Sequence, residues 1–455
     1  MASAAEQMAA NLSWGQLGKA TELRQRIWFT IGLLIIYRLG TYIPVPGIDG
    51  IALRNFMDSA QTGLGGILSM FTGGALGRMG IFALGIMPYI SASIIVQLLA
   101  SMVPALEAIK KEGEQGRKKI NQYTRYATVV LALFQAYGLA VSLEHGSMAH
   151  EPGMFFRLSV VITLVGGTMF LMWLGEQITA RGIGNGISLI IYVGILAELP
   201  AHIAQFLQQG ASQGSTAVTL GIIILVIVVM AFVVFMERAL RKIRIQYPRR
   251  QVGMKMYDGQ SSHLPIKVNP AGVIPAIFAS SLLLLPVTIS TFSGNNAGPV
   301  MSTILAYFGP GQPLYLLFFA LMIVFFSYFY TQNVAFKSDD VADNLKNQGG
   351  FIPGIRPGKR TEQYLDYVVN RVLVIGSLYL AAVCLLPEVI RNQLSVPFYF
   401  GGTSLLIIVS VTMDTINQLQ SHLLAHQYES LIEKSQLRGR RKPGQAKPRK
   451  APARR

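Results

Sequence analysis

Several short stretches of this 455-residue sequence carry residue types that could do chemistry. "GIRPGKRT", residues 354–361, resembles a phosphate-binding loop. Such a loop needs four residues between its glycines and a Ser or Thr directly after the lysine to hold magnesium. Here three residues separate Gly354 from Gly358, and Arg360 follows Lys359. "GIGNG", residues 182–186, lacks the last glycine of a dinucleotide fingerprint and follows no strand pattern. The six histidines, His145, His150, His202, His263, His422 and His426, all fall outside the cores of the apolar runs. There is no H-E-x-x-H metal motif and no Ser/Lys or Asp/Asp pair inside an apolar run. Arg38, Glu176 and Asp414 sit at the ends of such runs. Ion-coupled machines keep ionisable groups at membrane depth, where they are costly, because function needs them there. Their scarcity predicts a protein that is not an enzyme, holds no cofactor or metal, and draws its energy from elsewhere.

The elements that position these residues are membrane helices. The chain is 51% hydrophobic and 13% charged, with a positive mean hydropathy. That composition excludes an ordinary soluble enzyme of this length. Several uncharged runs approach the roughly 20 residues needed to cross a bilayer as a helix, and the alternating segments of membrane strands are absent. The pattern predicts ten spans: 27–42, 79–102, 126–143, 158–175 and 184–199, then 217–236, 271–292, 314–334, 372–386 and 397–413. The single cysteine, Cys384, lies in an apolar run and reads as packing. Lys19, Arg24 and Arg26 precede the first run and no small-residue cleavage site follows it, so that run is expected to remain as a span.

The basic connections alternate along the chain. "IKKEGEQGRKK" (109–119), "RALRKIRIQYPRRQVGMK" (238–255) and the stretch with "PGIRPGKR" (353–360) are rich in Lys and Arg, whereas 200–216 and 293–313 contain neither. Positive loops stay inside, so both termini are expected in the cytoplasm, with 1–26 as a cytoplasmic N-terminus. The Gln/Gly/Ser-rich stretch 205–216 is expected as an outer loop between a half of five spans (27–204) and another of five (217–416). An odd number per half makes the second half enter the membrane in the opposite sense, the arrangement of inverted repeats. The count carries this expectation; no sequence repeat is identified. Residues 417–455 are expected as a basic cytoplasmic tail. Its last eighteen residues hold nine basic ones, no acid, and Pro and Gly between them, which predicts disorder. That tail either lies solvated near anionic lipid or contacts a ribosome or RNA.

The runs "FTGGALGRMGIFALGIMPYISASIIVQLL" (71–99), "KKEGEQGRKKINQYTRYAT" (110–128), "GTMFLMWLGEQITARGIGNGISLII" (167–191), "HLPIKVNPAGVIPAIFASS" (263–281), "ADNLKNQGGFIPGIRPG" (342–358) and "VPFYFGGTSLLI" (396–407) closely resemble the bacterial SecY family. These are channel subunits of the Sec protein translocase, and the resemblance runs from about residue 17 to residue 436. The tail is longer than the family leads one to expect, and the outer loops 144–157 and 293–313 match no motif of the family.

The resemblance implies an all-α integral membrane protein of ten transmembrane helices in two inverted five-helix halves, passing unfolded preproteins across the bacterial cytoplasmic membrane. It implies a plug over about 65–77, a short half-helix carrying Gly65, Gly66, Met70, Phe71, Gly73 and Gly74. Irregular backbone at membrane depth is tolerated where it lines a cavity, and a plug sits in one. Ile86 and Ile90 lie four apart, as do Ile187 and Ile191, so each pair shares a helix face. Spacing alone reads them as packed or lipid-facing; the resemblance adds Ile277 and Ile407 and makes the six a pore ring. A narrow apolar constriction of that kind passes a chain while leaking few ions.

The resemblance places a lateral gate between the second and seventh spans, with Ser91 and Gln97 on one side, Ser281 and Leu285 on the other, and Asn185 as a nearby polar contact. Arg241, Lys242, Arg249, Arg250 and Lys255 in one basic loop, and Arg356, Lys359 and Arg360 in the other, are implied to dock the SecA motor or the ribosome. Charge topology alone also accounts for such loops. SecE and SecG are the implied channel subunits, preproteins and their signal sequences the substrates, and membrane lipids the surroundings. The rival reading, a secondary transporter of small solutes, shares inverted halves and broken helices but needs a substrate or ion site at the midplane.

Overall fold

The computed structural model describes residues 21–50, 52–53, 72–146, 148–212, 216–247, 250–252, 255–257, 261–293, 312–394 and 402–439. The first half contributes α1 (Thr21–Gly40), α2 (Met87–Met102), α3 (Pro104–Lys111), α4 (Glu114–His145), α5 (Met154–Arg181) and α6 (Gly186–Ser212). The second contributes α7 (Thr216–Arg238), β1 (Leu240–Gln246), β2 (Arg250–Val252), β3 (Lys255–Tyr257), β4 (Ser261–Lys267), α8 (Ile274–Ser293), α9 (Pro313–Tyr330), α10 (Ser338–Asn347), α11 (Lys359–Leu394) and α12 (Gly402–Gly439). Leaving out short α3 and α10, a helix stands at each of the ten expected spans. Among the described residues, six stretches meet a strict test of length and apolarity with few charges. Charged residues keep α1 from that test (Glu22, Arg24, Arg26 and Arg38), whereas α2 ends at a 102° bend into α3.

Four expectations need correction. The second span starts at Met87, not residue 79, because residues 72–86 form successive turns in which Gly73, Gly74 and Gly85 take positive φ values of 63°, 77° and 57°. Glycine adopts that conformation freely, whereas it costs other L-residues about 1–2 kcal/mol. For the same reason residues 72–77, expected within a half-helix, are turns. The stretch 205–216, expected as a loop, is helix through Ser212, since glutamine is a good helix former. One consequence is that His202 stands on the fifth long helix, α6, rather than after it. Finally, the expected tail from residue 417 begins as helix: α12 runs to Gly439, and Leu423 packs with Leu23 and Ile183. Residues 440–455 lie outside the description.

The two halves pack by the same plan. In the first, α2 packs on α4, α4 on α5, α5 on α6, and α1 on α6; in the second, α8 packs on α9, α9 on α11, α11 on α12, and α7 on α12. The halves meet where α8 touches α2 and α4, and where α6 touches α7 and α12.

A sequence match underlies this plan. "GIMPYISAS" (85–93) and "GVIPAIFAS" (272–280) share Gly, Pro, Ile, Ala and Ser in register. Both glycines have positive φ, 57° at Gly85 and 61° at Gly272, and each precedes a helix with proline in its first turn. Four residues earlier, a carbonyl approaches a glycine of a later span. A Cβ on Gly167 of α5 would lie 2.0 Å from the Ile81 oxygen, and one on Gly376 of α11 would lie 2.4 Å from the Val268 oxygen. This is the repeat that counting spans left unidentified.

The connection from α7 to α8 is a basic hairpin. β1 pairs with β4 antiparallel, from Leu240 opposite Lys267 to Gln246 opposite Ser261, and β2 pairs with β3. Alternation buries Ile243 and Ile245 while exposing Arg241, Lys242 and Arg244. Gln246 and Phe351 exchange two backbone hydrogen bonds of 2.9 Å, joining the connection after α10 to the hairpin.

Candidate functional site

The predicted isoleucines come from four helices of both halves and belong to one apolar cluster. Ile86 and Ile90 at the start of α2, Ile191 on α6, Ile277 on α8 and Ile407 on α12 are buried in one apolar cluster, and Ile187 packs against it half-buried. The same cluster holds Leu171, Leu174 and Ile178 of α5 and Phe319, Ile323 and Phe326 of α9, so it is also the packed centre of the molecule. The repeat makes Ile90 and Ile277 equivalent, two residues after the matching prolines. Among the described residues, that cluster contains no charged side chain.

The seam between α2 and α8 carries the predicted gate residues unevenly. Ser91 and Ser281 are buried. Gln97 donates to Ser93 Oγ at 3.2 Å, while its Oε1 and the Ser281 hydroxyl are buried without hydrogen-bond partners among the described residues. An unpaired buried polar atom costs on the order of 1–3 kcal/mol. Leu285 lies further along α8. Asn185 does something local: its Oδ1 accepts from the N–H of Ile187 at 3.1 Å and of Ser188 at 3.4 Å, so it caps α6. Of the plug candidates, Gly73 and Gly74 are described, and Gly65, Gly66, Met70 and Phe71 lie outside the described residues.

Glu198 is the residue that sequence reading missed. It stands on α6 with Arg38 of α1 3.4 Å away and Arg78 of the turn segment 3.2 Å away, both on Oε1. Arg38 Nη1 also donates to the Gly73 carbonyl at 2.6 Å, and the Tyr42 ring lies beneath both guanidinium groups at 5.2 and 4.5 Å. The signal was available: Glu198 is a lone carboxylate in "GISLIIYVGILAELP", inside an expected span. A second carboxylate, Glu237 at the end of α7, accepts from Asn269 Nδ2 at 2.9 Å, just before the Gly272 turn.

The predicted docking residues gather on the hairpin side. Arg241, Lys242, Arg356, Lys359 and Arg360 are exposed, Arg250 lies on β2, Lys255 on β3, and Arg249 lies outside the described residues. Ile243 and Ile266 of the hairpin pack with Ile352, Leu365, Val368 and Val369, so both basic loops stand on one apolar base. Arg244, exposed on β1, belongs with them and was not singled out from sequence. Nearby, Lys110 of α3 donates to the Asn333 carbonyl at 3.3 Å, across the two halves. Burial, with Lys337 and Arg117 adding repulsion, holds its ammonium below the ordinary lysine range.

Comparison with known proteins gives consistent results. The sequence model of the family SecY matches residues 80–416. A "Protein translocase subunit SecY" of Escherichia coli (strain K12) is 52% identical over 429 residues, covering 93% of this chain and 96% of that protein. A solved structure described as concerning the plug domain of the SecY protein, the closed state of the translocation channel and a membrane seal aligns with a TM-score of 0.64 at 19% identity, over 87% of this chain and 92% of that one. Sec61 in a canine ribosome-channel complex aligns with a TM-score of 0.61 at 18% identity, over the same shares.

Proposed function

This chain belongs to the SecY family, and on that premise we propose that it passes unfolded preproteins across the bacterial cytoplasmic membrane and releases their hydrophobic segments sideways into the lipid. It is a protein-conducting channel. The observation that supports the reading is that Ile86, Ile90, Ile191, Ile277 and Ile407, from both halves, belong to one apolar cluster, with Ile187 packed against it. As a ring they would grip a polypeptide by shape and close behind it, which a solute transporter with a polar midplane site would not do.

The remaining roles follow from that arrangement. Gly73 and Gly74 end a plug that fills the outer mouth. The α2–α8 seam parts to let a signal sequence reach lipid, since polar links between membrane helices are weak. The paired basic loops, with Arg241, Lys242, Arg356, Lys359 and Arg360, receive SecA or the ribosome, whose acidic or phosphate surfaces suit such charge. SecE and SecG complete the channel, both termini face the cytoplasm, and the chain itself performs no catalysis.

The test is protease protection of a radiolabelled preprotein in vesicles containing this chain with SecE and SecG, given SecA and ATP. Protection that requires the motor, ATP and an intact signal sequence is expected. Absence of protection, with a folded complex and an active motor, would overturn the reading.

A further inference from the structure

We propose that Glu198 is a positioning residue for the plug: its carboxylate, through Arg38 and Arg78, latches the Gly73–Gly74 corner onto the outer ends of the first and fifth spans and thereby sets how readily the channel opens. The inference rests on the plug reading above, and adds a residue and a mechanism to it.

The corner is seated by shape as well as charge. Gly73 and Gly74 both take positive φ, 63° and 77°. A Cβ on Gly73 would lie 2.9 Å from the Cα of Gly194, one turn before Glu198, and 3.0 Å from the Tyr37 hydroxyl. A Cβ on Gly74 would lie 2.3 Å from Glu198 Oε1. The chain therefore lies in a slot on α6 that only two successive glycines fit, with the carboxylate at its end.

Charge then closes the slot. Arg38 reaches the Gly73 carbonyl with one nitrogen and Glu198 with the other, so one guanidinium ties the corner to α6. Arg78, four residues after the corner, reaches the same carboxylate oxygen. Glu198 is mostly buried, with a side-chain exposure of 15%, and two positive groups share it. Without it, Arg38 and Arg78 face each other uncompensated, and the corner loses both its partner and the reason for Arg38 to point inward. Polar links between membrane helices are individually weak. Together they bias a resting plug, yet an arriving chain can break them.

The test uses the full complex in vesicles, comparing the native chain with Glu198→Gln, which keeps shape and removes charge. Resting ion conductance and export of a preprotein with a defective signal sequence are each expected to rise several-fold, while export with an intact signal is retained. Glu198→Asp, which keeps the charge, should restore most of the native behaviour. Gly74→Ala attacks the slot and should give the same phenotype without altering any charge. A plain folding defect lowers export with both signals together; that outcome, or conductance and discrimination equal to the native chain, overturns the latch. Spin labels at positions 77 and 196 read the corner independently of export. A narrow distance distribution that broadens in Glu198→Gln supports the latch, and an unchanged one overturns it. Should the native chain export nothing while the distance broadens, the channel reading fails and the latch stands as an anchor.

Discussion

The connection between the first and second spans and that between the sixth and seventh hold the same place in their halves, and each ends on a positive-φ glycine followed by a proline-led helix. Before that shared start they diverge. Residues 72–86 carry one charge, Arg78, and fold back on the chain after α1: Val45 N–H donates to the Met79 carbonyl and Ile81 N–H to the Ile43 carbonyl, both at 2.9 Å. In the second connection, β1 alternates exposed Arg244 with buried Ile243 and Ile245 and pairs antiparallel with β4. The difference teaches that the repeat specifies the helix start and the glycine-to-carbonyl packing. Side-chain composition then decides whether the connection folds back on the chain or pairs into a hairpin.

The largest effect should come from what the two regions share. Gly167→Val and Gly376→Val each push a side chain into a backbone carbonyl, and both should destabilise the purified complex near the top of the roughly 1–3 kcal/mol range for overpacking, read as lowered thermal midpoints. If one were silent, the equivalence of the halves would fail.

The next should separate the regions. Arg356→Glu, on the outward surface, is expected to lower motor-driven export about tenfold, the equivalent of about 1.4 kcal/mol, with resting conductance unchanged. That is the reverse of Glu198→Gln, and a variant that moved both readouts together would break the division of labour.

The smallest contrast lies at the turns. Gly85→Ala and Gly272→Ala both place alanine in the left-handed region, at a cost of about 1–2 kcal/mol. Gly85→Ala should lose slightly more, because its Cβ would meet Thr72 Cγ2 at 3.1 Å whereas that of Gly272 finds Ser410 Oγ only at 3.8 Å. Denaturation midpoints in that order would sharpen the comparison, and the opposite order would break it.

Much of the fold is legible in the sequence. Long apolar runs have one low-energy solution in a bilayer, a helix that satisfies its own backbone, so ten helices appear at the ten expected places. Boundaries were less legible where glycine interrupts an apolar run, as at residues 79–86, because hydropathy does not report φ. The six isoleucines could be named only through family resemblance, since periodicity gives a helix face and not what that face meets. Glu198 was passed over although a carboxylate inside an apolar span is the very signal that the same reading sought. Asn185 was assigned by resemblance to the gate, while its hydrogen bonds cap its own helix.

By itself, the sequence determined the membrane as solvent, the number of long helices, the charge asymmetry of their connections, and the glycines and prolines that mark where helices begin. Hydropathy, propensity and φ freedom are local properties, carried by each residue wherever the chain goes. Only the tertiary structure decided which faces meet: that Ile90 and Ile277 lie in one cluster, that Gly167 and Gly376 admit equivalent carbonyls, and that a carboxylate on the fifth span reaches arginines from two other segments. The pair Arg38 and Glu198, for one, lies 160 positions apart in the chain. Such contacts depend on how helices pack, which no local preference encodes.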